Sequence, residues 1–399
     1  MSGKRKAVSF CLFFFMLFFI VWRDGVIAWG KEGGRDGGRP EGTEALFPEG
    51  MPDLDLEKIQ QFLNQRQETS AISFSELMEE LLSGDLKGLG LKLGRGFQEG
   101  IWSEFTSSAG FLAQAAVLGI LGAIFSQVAA AFPEGRISET GFFITYLLAF
   151  TCLTASFFTS VETAASVVEN VLEFMKVLLP AFFLAVAFAG GSMSSAALYG
   201  SVIGGVGAAD FLCGQVLLPL IKVYVFLVLA GNLSREEFIT KLTDGVESGL
   251  RWTLKTVSGL FLGLQLIQTM ILPYADSVKR VGLQKIVASI PGIGSGAEAV
   301  VQAAVGSGVL LKNTVGGAAV AVLVILGAAP VAKLLFFLFL YRGAAALMEP
   351  VCDKRLTACV DGIGKAHSLL LYMVLTVVLL FAVSIGIVCA ATNAVYFGG

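Results

Sequence analysis

The sequence predicts an all-α polytopic membrane protein, with about six spanning helices plus two re-entrant glycine-rich hairpins in an internal duplication. Three observations carry this. First, of 399 residues 55% are hydrophobic and only 15% charged, with a mean hydropathy of +0.77, far more apolar than a water-soluble domain of ordinary usage. Second, the stretch 286–341 is apolar yet broken by glycines and Pro291, then resumes as a membrane-length helix carrying Pro330 and Lys333. Such backbone fits a segment that dips into a bilayer while shielded by neighbouring helices. Third, 177–230 repeats the arrangement, with Pro180 and then Pro219 and Lys222. Pro180 to Pro219 and Pro291 to Pro330 are each 39 residues apart, both second prolines open a Pro-x-x-Lys run, and the two sets are offset by 111.

Taken in order, Lys4, Arg5 and Lys6 precede an apolar run over 7–22, and Val26-Ile27-Ala28 supplies the small or apolar residues that signal peptidase reads. Residues 1–28 are therefore expected to be a signal peptide, the alternative being an uncleaved anchor. Residues 29–52 are rich in Gly, Pro and charge and form a flexible linker. Over 53–108 two short amphipathic helices are expected outside the cytoplasm. Leu56, Ile59, Phe62 and Leu63 recur at helical spacing, and Ser73 with Glu76 makes a capping box ahead of Leu77, Met78, Leu81 and Leu82, with Gly84 as the stop. Their apolar faces need a partner: each other, the membrane surface or another protein.

Residues 109–160 hold two spans, at 109–132 and 141–160. Membrane repeat 1 covers 161–275. It begins with an amphipathic stretch, 161–176, read as a helix on the membrane surface, and continues with a re-entrant hairpin over 177–207 and spans near 213–233 and 256–273. Membrane repeat 2 covers 276–391, with a second hairpin, the Pro330 helix and a final span at 369–391, leaving 392–399 as a C-terminal tail. With both hairpins re-entrant, the inside loops 133–140, 232–255 and 342–368 hold 9 basic residues against 5 in 161–176 and 276–316. The positive-inside rule thus places the C-terminus outside.

Little in this chain resembles catalytic machinery. The only histidine, His367, stands at the mouth of the last span and is read as interfacial. No nucleophile motif or phosphate-cradling loop accompanies it, so an enzyme is not expected, and no cofactor or metal is called for. The six cysteines form no Cys-x-x-Cys pair and point to neither a disulfide framework nor zinc. Lysine and arginine form no long cluster, which argues against nucleic acid as a partner.

The candidate functional residues lie inside the membrane. Lys222 and Lys333 stand near the middle of apolar runs where charge is costly; the other reading is that each snorkels to the interface along its aliphatic stem. Asp210 is the nearest counter-charge to Lys222 in sequence, and Pro180, Pro219, Pro291 and Pro330 mark the breaks in the two repeats. The glycines around them either permit close helix packing or mark discontinuous helices lining a site.

The order of a signal, an outer amphipathic segment and then IPGIGSGAEAVV, GSGVLLKNTVGG, the Pro-x-x-Lys helix and AALMEPVCDKRLTACVDGIGK resembles the stage III sporulation protein AE family of endospore-forming bacteria. The resemblance runs from about Phe74 to the C-terminus and is densest from Lys279 to Lys365. It implies a multipass component of the mother-cell membrane facing the forespore. It also implies work with the other membrane and ring-forming proteins of a channel apparatus and with a secretion-type ATPase on the cytoplasmic side. It brings no catalytic residues. The expectation is therefore a membrane-core subunit of a specialised secretion or feeding channel, capable of forming a conduit. The competing expectation is a stand-alone secondary transporter of a small solute with its site at the repeat interface.

Overall fold

The computed structural model describes residues 55–66, 69, 72–84, 94, 136–234, 237–288, 294–350 and 352–397. The signal peptide, the linker, the span at 109–132 and Pro291 lie outside the described residues. Every regular element among the described residues is helical: α1 (Leu56–Asn64), α2 (Phe74–Ser83), α3 (Arg136–Phe188), α4 (Ser192–Phe211), a π-helical turn (Leu212–Leu217), α5 (Leu218–Ser234), α6 (Glu237–Ala288), α7 (Gly294–Met348) and α8 (Lys354–Phe397). Among the described residues, five stretches are long and apolar enough to cross a membrane: Tyr146–Phe188, Ser194–Asn232, Phe238–Leu272, Val305–Met348 and Lys354–Ala390.

The helices alternate in direction. Tyr146 of α3 meets Leu229 of α5 and Cys359 of α8, while Ser156 of α3 meets Tyr341 of α7. Further along, a Cβ on Gly316 of α7 would lie 3.2 Å from Phe182 of α3. So α3 runs antiparallel to α5 and α7. The pairs Arg251–Ser368 and Gln265–Ser384 make α6 parallel to α8. The start of α3, the α5–α6 turn and the α7–α8 turn consequently share one end of the bundle.

The first of the two expected hairpins folds as a helix–turn–helix. Gly190 adopts φ 92°, its N–H reaches Ala187 O at 3.0 Å, and the N–H of Gly191 reaches Val186 O at 3.3 Å. This is the left-handed Schellman stop that glycine favours. Both arms belong to long helices, and 161–176, expected as a separate surface helix, is a continuous part of α3. The second hairpin does not form over the described residues: from Gly294 to Met348 the chain is one helix of 55 residues. Its glycines, the adjacent Gly316 and Gly317 included, stay within the helix, and they serve close packing. A Cβ on Gly308 would lie 2.8 Å from the backbone of Ala189, and one on Gly316 2.5 Å from Cys389 Sγ. The two copies read from the proline spacing therefore differ in backbone course: 177–230 reverses direction, whereas 294–341 runs straight.

The prolines are absorbed locally. Pro180 and Pro330 sit inside α3 and α7. Pro219, the second residue of α5, follows the π-helical turn Leu212–Leu217. A proline ring clashes with the carbonyl four residues back, and a wider turn relieves that clash.

The amphipathic helices begin and end near the sequence signals. Ser73 caps α2 by accepting from the N–H of Glu76 at 3.4 Å, and Gly84 ends it at φ 74°. Their apolar faces find a partner within the same chain. Phe62 of α1 packs on Phe174 of α3 at 5.7 Å, and Leu81 of α2 lies over Gly317 of α7, where a Cβ would come within 3.1 Å. Arg66 fastens this contact through Asn170 at 2.8 Å and Glu173 at 2.5 Å, with its guanidinium 4.2 Å from the Phe62 ring.

Gly308→Leu is expected to destabilise the bundle by about 1–3 kcal/mol, because the added side chain meets backbone that has no room to yield. Gly343→Leu, at an exposed position with open space around it, should leave stability near wild type. Thermal unfolding of the two variants in detergent checks the difference.

Candidate functional site: polar seams inside the apolar bundle

Hydrocarbon offers polar groups no partner, so those inside a spanning helix must pair with protein. The bundle buries several, and they join specific helices. His367 of α8 is fully buried. Its Nδ1 lies 2.9 Å from the carbonyl of Ile363, which can only accept, so Nδ1 carries the proton; Nε2 of the neutral ring then accepts from the Ser160 hydroxyl of α3 at 2.9 Å. The ring stacks on Tyr341 of α7 at 5.0 Å and meets the edge of Phe157 of α3 at 5.5 Å. Tyr341 is in turn hydrogen-bonded to Ser156 at 2.5 Å. One histidine thus ties α3, α7 and α8 together at a single level, and the interfacial placement expected for it is replaced by the centre of the core.

Nearer the other end, Lys312 of α7 is fully buried and its Nζ donates to the Cys389 carbonyl of α8 at 3.2 Å. Asp276 of α6, 7% exposed, accepts from the backbone N–H of Ser194 at 3.0 Å and from the Ser194 hydroxyl. This places a carboxylate at the N-terminus of α4, where the helix dipole favours negative charge. Gln265 of α6 and Ser384 of α8, both fully buried, are joined at 2.6 Å.

The residues singled out from sequence occupy different positions. Lys222 is half-buried on α5, its ammonium 5.7 Å from the Phe158 ring of α3. Lys333 is half-buried on α7, one turn beyond Pro330. Asp210 pairs with Lys176 of α3 at 3.5 Å rather than with Lys222. Pro180 is exposed and Pro330 buried. The fully buried ammonium is Lys312, which sequence reasoning had counted among the loop charges of 276–316. Its signal was available: a lysine between Leu311 and Asn313 within an otherwise apolar glycine-rich run. Gln265 and Asp276 carried weaker signals, an amide inside one apolar stretch and a carboxylate at its end.

Chemically, this set can clamp helices and hold charge within the bundle. The level around His367 is filled by Phe157, Phe337 and Tyr341 side chains at 4% exposure or less. The seam between α3, α7 and α8 is accordingly packed there.

The family model described as Stage III sporulation protein AE matches residues 72–392. A relative named Stage III sporulation protein AE, from Bacillus subtilis (strain 168), is 23% identical over 294 residues, which cover 73% of this chain and 74% of the relative. No solved structure matches.

Two substitutions separate clamp from charge. Tyr341→Phe removes the partner of a buried serine and should cost about 1–2 kcal/mol. Lys312→Met keeps volume while removing a buried charge, and should leave thermal stability in detergent equal or higher.

Proposed function

The chain belongs to the stage III sporulation protein AE family, and from that premise we propose that it is the membrane-core subunit of a specialised secretion or feeding channel between mother cell and forespore. It acts by assembly rather than by chemistry of its own. The family match over 72–392 is the observation that carries this reading. A sporulation role and multi-pass membrane residence follow from the family and from the five long apolar helices. The channel, its partners and its location in the mother-cell membrane are the proposal.

The bundle supports the assembly reading through its packing. Where His367 sits, aromatic side chains fill the interior, so a conduit would be built between subunits or with partners. The outer face of α6 is the most open of the five candidate spans, with 17% of its apolar window buried against 44–61% for the others. Leu260, Leu264, Ile267 and Met270 are each at least half exposed there. In this proposal the ring-forming proteins lie on the outer side with the mature N-terminus, and the secretion-type ATPase lies on the cytoplasmic side. The end of the bundle shared by the α5–α6 and α7–α8 turns is cytoplasmic. Lys241, Arg251, Lys354, Arg355 and Lys365 in the adjoining helix segments favour that orientation. Removal of residues 1–28 and the division into 161–275 and 276–391 belong to the same proposal.

Two measurements test it. Cysteine probes at Ser295 and Asp244 should label from outside and only after permeabilisation, respectively; the reverse pattern inverts the orientation. For the function, the tagged protein isolated from sporulating cells should bring down an ATPase and outer ring-forming proteins, and the purified chain alone in liposomes should move no solute. Flux by the chain alone, abolished by Lys222→Ala or Lys333→Ala, would establish the stand-alone transporter instead.

A further inference from the structure

The first half of α3 carries an uncovered apolar stripe. Phe143, Ile144, Leu147 and Leu148 are each at least 44% exposed, and the exposed Thr151 and Ala155 continue the same helix face at spacings of three and four. Two turns further on the stripe changes character, and its exposed residues become Glu162, Ser166 and Glu169. The apolar part extends sideways onto α5. The Phe226 ring lies 6.4 Å from Phe150 and 6.2 Å from Phe158 of α3, and Phe226 and Val223 are themselves exposed. One apolar face is thus shared by α3 and α5, and it ends where the charges of α3 begin.

The described chain on either side sets what residues 85–135 must span. The last turn of α2 stands at the level of Phe182, since Leu81 lies over Gly317 and a Cβ on the adjacent Gly316 would be 3.2 Å from Phe182. α3 begins at Arg136, 46 residues and roughly 69 Å of helix away. Within 85–135 the run 109–132 holds 24 residues without a charge, about 36 Å as a helix. Only Pro133, Glu134 and Gly135 separate this run from α3, and so short a connection joins antiparallel neighbours. Counted back from that turn, the run reaches the level of Ser160 on α3, just short of Glu162, and so matches the apolar stripe in length. Along it Ala115, Ala116, Gly119, Gly122, Ala123 and Ser126 recur at spacings of three and four, which suits close helix contact. Bulky side chains protrude from α3 and α5, so a small-residue partner complements them. A second copy would instead set these bulky side chains against one another.

We infer that this face of α3 and α5 is the docking surface for residues 109–132 of the same chain, which lie along it antiparallel to α3. Such docking follows from chain length and connectivity and does not depend on the channel proposal.

Disulfide mapping in the full-length, membrane-embedded protein tests it. In a Cys152→Ser background, Leu148→Cys is combined in turn with single cysteine substitutions across 119–126 and oxidised. Monomer and dimer bands are separated without reductant, and trypsin cleavage at Arg136 then leaves the two monomer peptides joined only by a disulfide. A disulfide within one chain should form at positions recurring every three or four residues and be lost at those between. Ala155→Cys should pair two turns earlier in the run, around Ala116. No disulfide within the chain at any position would show that lipid covers the face, and a disulfide only in the dimer band would place a second copy there; either result overturns the docking. If Leu148→Cys fails to fold, Ala155→Cys scanned against 112–119 decides the outcome in its place.

Discussion

The structure depends on one constraint: inside an apolar layer, backbone and side-chain polar groups must be satisfied by the protein itself. This makes every described element a helix. It also explains why the polar residues buried in the spans are few and placed at contacts between helices. Apolar side chains alone give little preference for one helix arrangement over another in lipid, because lipid tails are as apolar as leucine. Hydrogen bonds such as His367 to Ser160, Tyr341 to Ser156 and Gln265 to Ser384 fix which helices meet and at what level. The glycines at 308 and 316 let α7 approach the backbone of Ala189 and the side chains of Cys389 and Phe182 closely.

Length adds a second consequence. At about 1.5 Å per residue, helices of 53 and 55 residues reach about 80 Å, more than two and a half times the roughly 30 Å hydrocarbon layer. Part of each must therefore lie outside it or be shielded within it. Two of the charges along α3 are paired: Glu173 takes Arg66 from the α1–α2 segment, and Lys176 takes Asp210 of α4. The amphipathic helices thereby become part of the bundle wall, covering a polar stretch of α3 and a glycine face of α7. That docking integrates a segment which, by sequence alone, had an open choice of partner.

The buried lysine and the half-buried lysines fall into different physical classes. Lys222 and Lys333 keep part of their surface free, which agrees with either a functional or a snorkelling role. Lys312 has no exposure, and its placement against a main-chain carbonyl of α8 makes it the costlier residue to retain. In spanning helices such costs mark function or specificity more often than stability.

Composition and hydrophobic run lengths determined the class of this protein, because burial of about 20 apolar residues per crossing leaves few alternatives to a helical membrane fold. Local chemistry placed the caps at Ser73 and Gly84, since one hydroxyl and one left-handed residue act over a single turn. The segment pattern from Lys279 to Lys365 was also enough to indicate the family. Tertiary structure decided what depends on contacts far apart in the chain. The glycine-rich stretch 286–341, read as a hairpin followed by a lysine-bearing span, runs straight from Gly294, its glycines receiving Ala189 and Cys389 from elsewhere in the bundle. His367 moved from the interface to the core because Ser160, 207 positions away, accepts its company. Lys312, Gln265 and Asp276 became site residues only when Cys389, Ser384 and Ser194 were brought beside them, since a polar residue acquires its role from the partner that folding supplies.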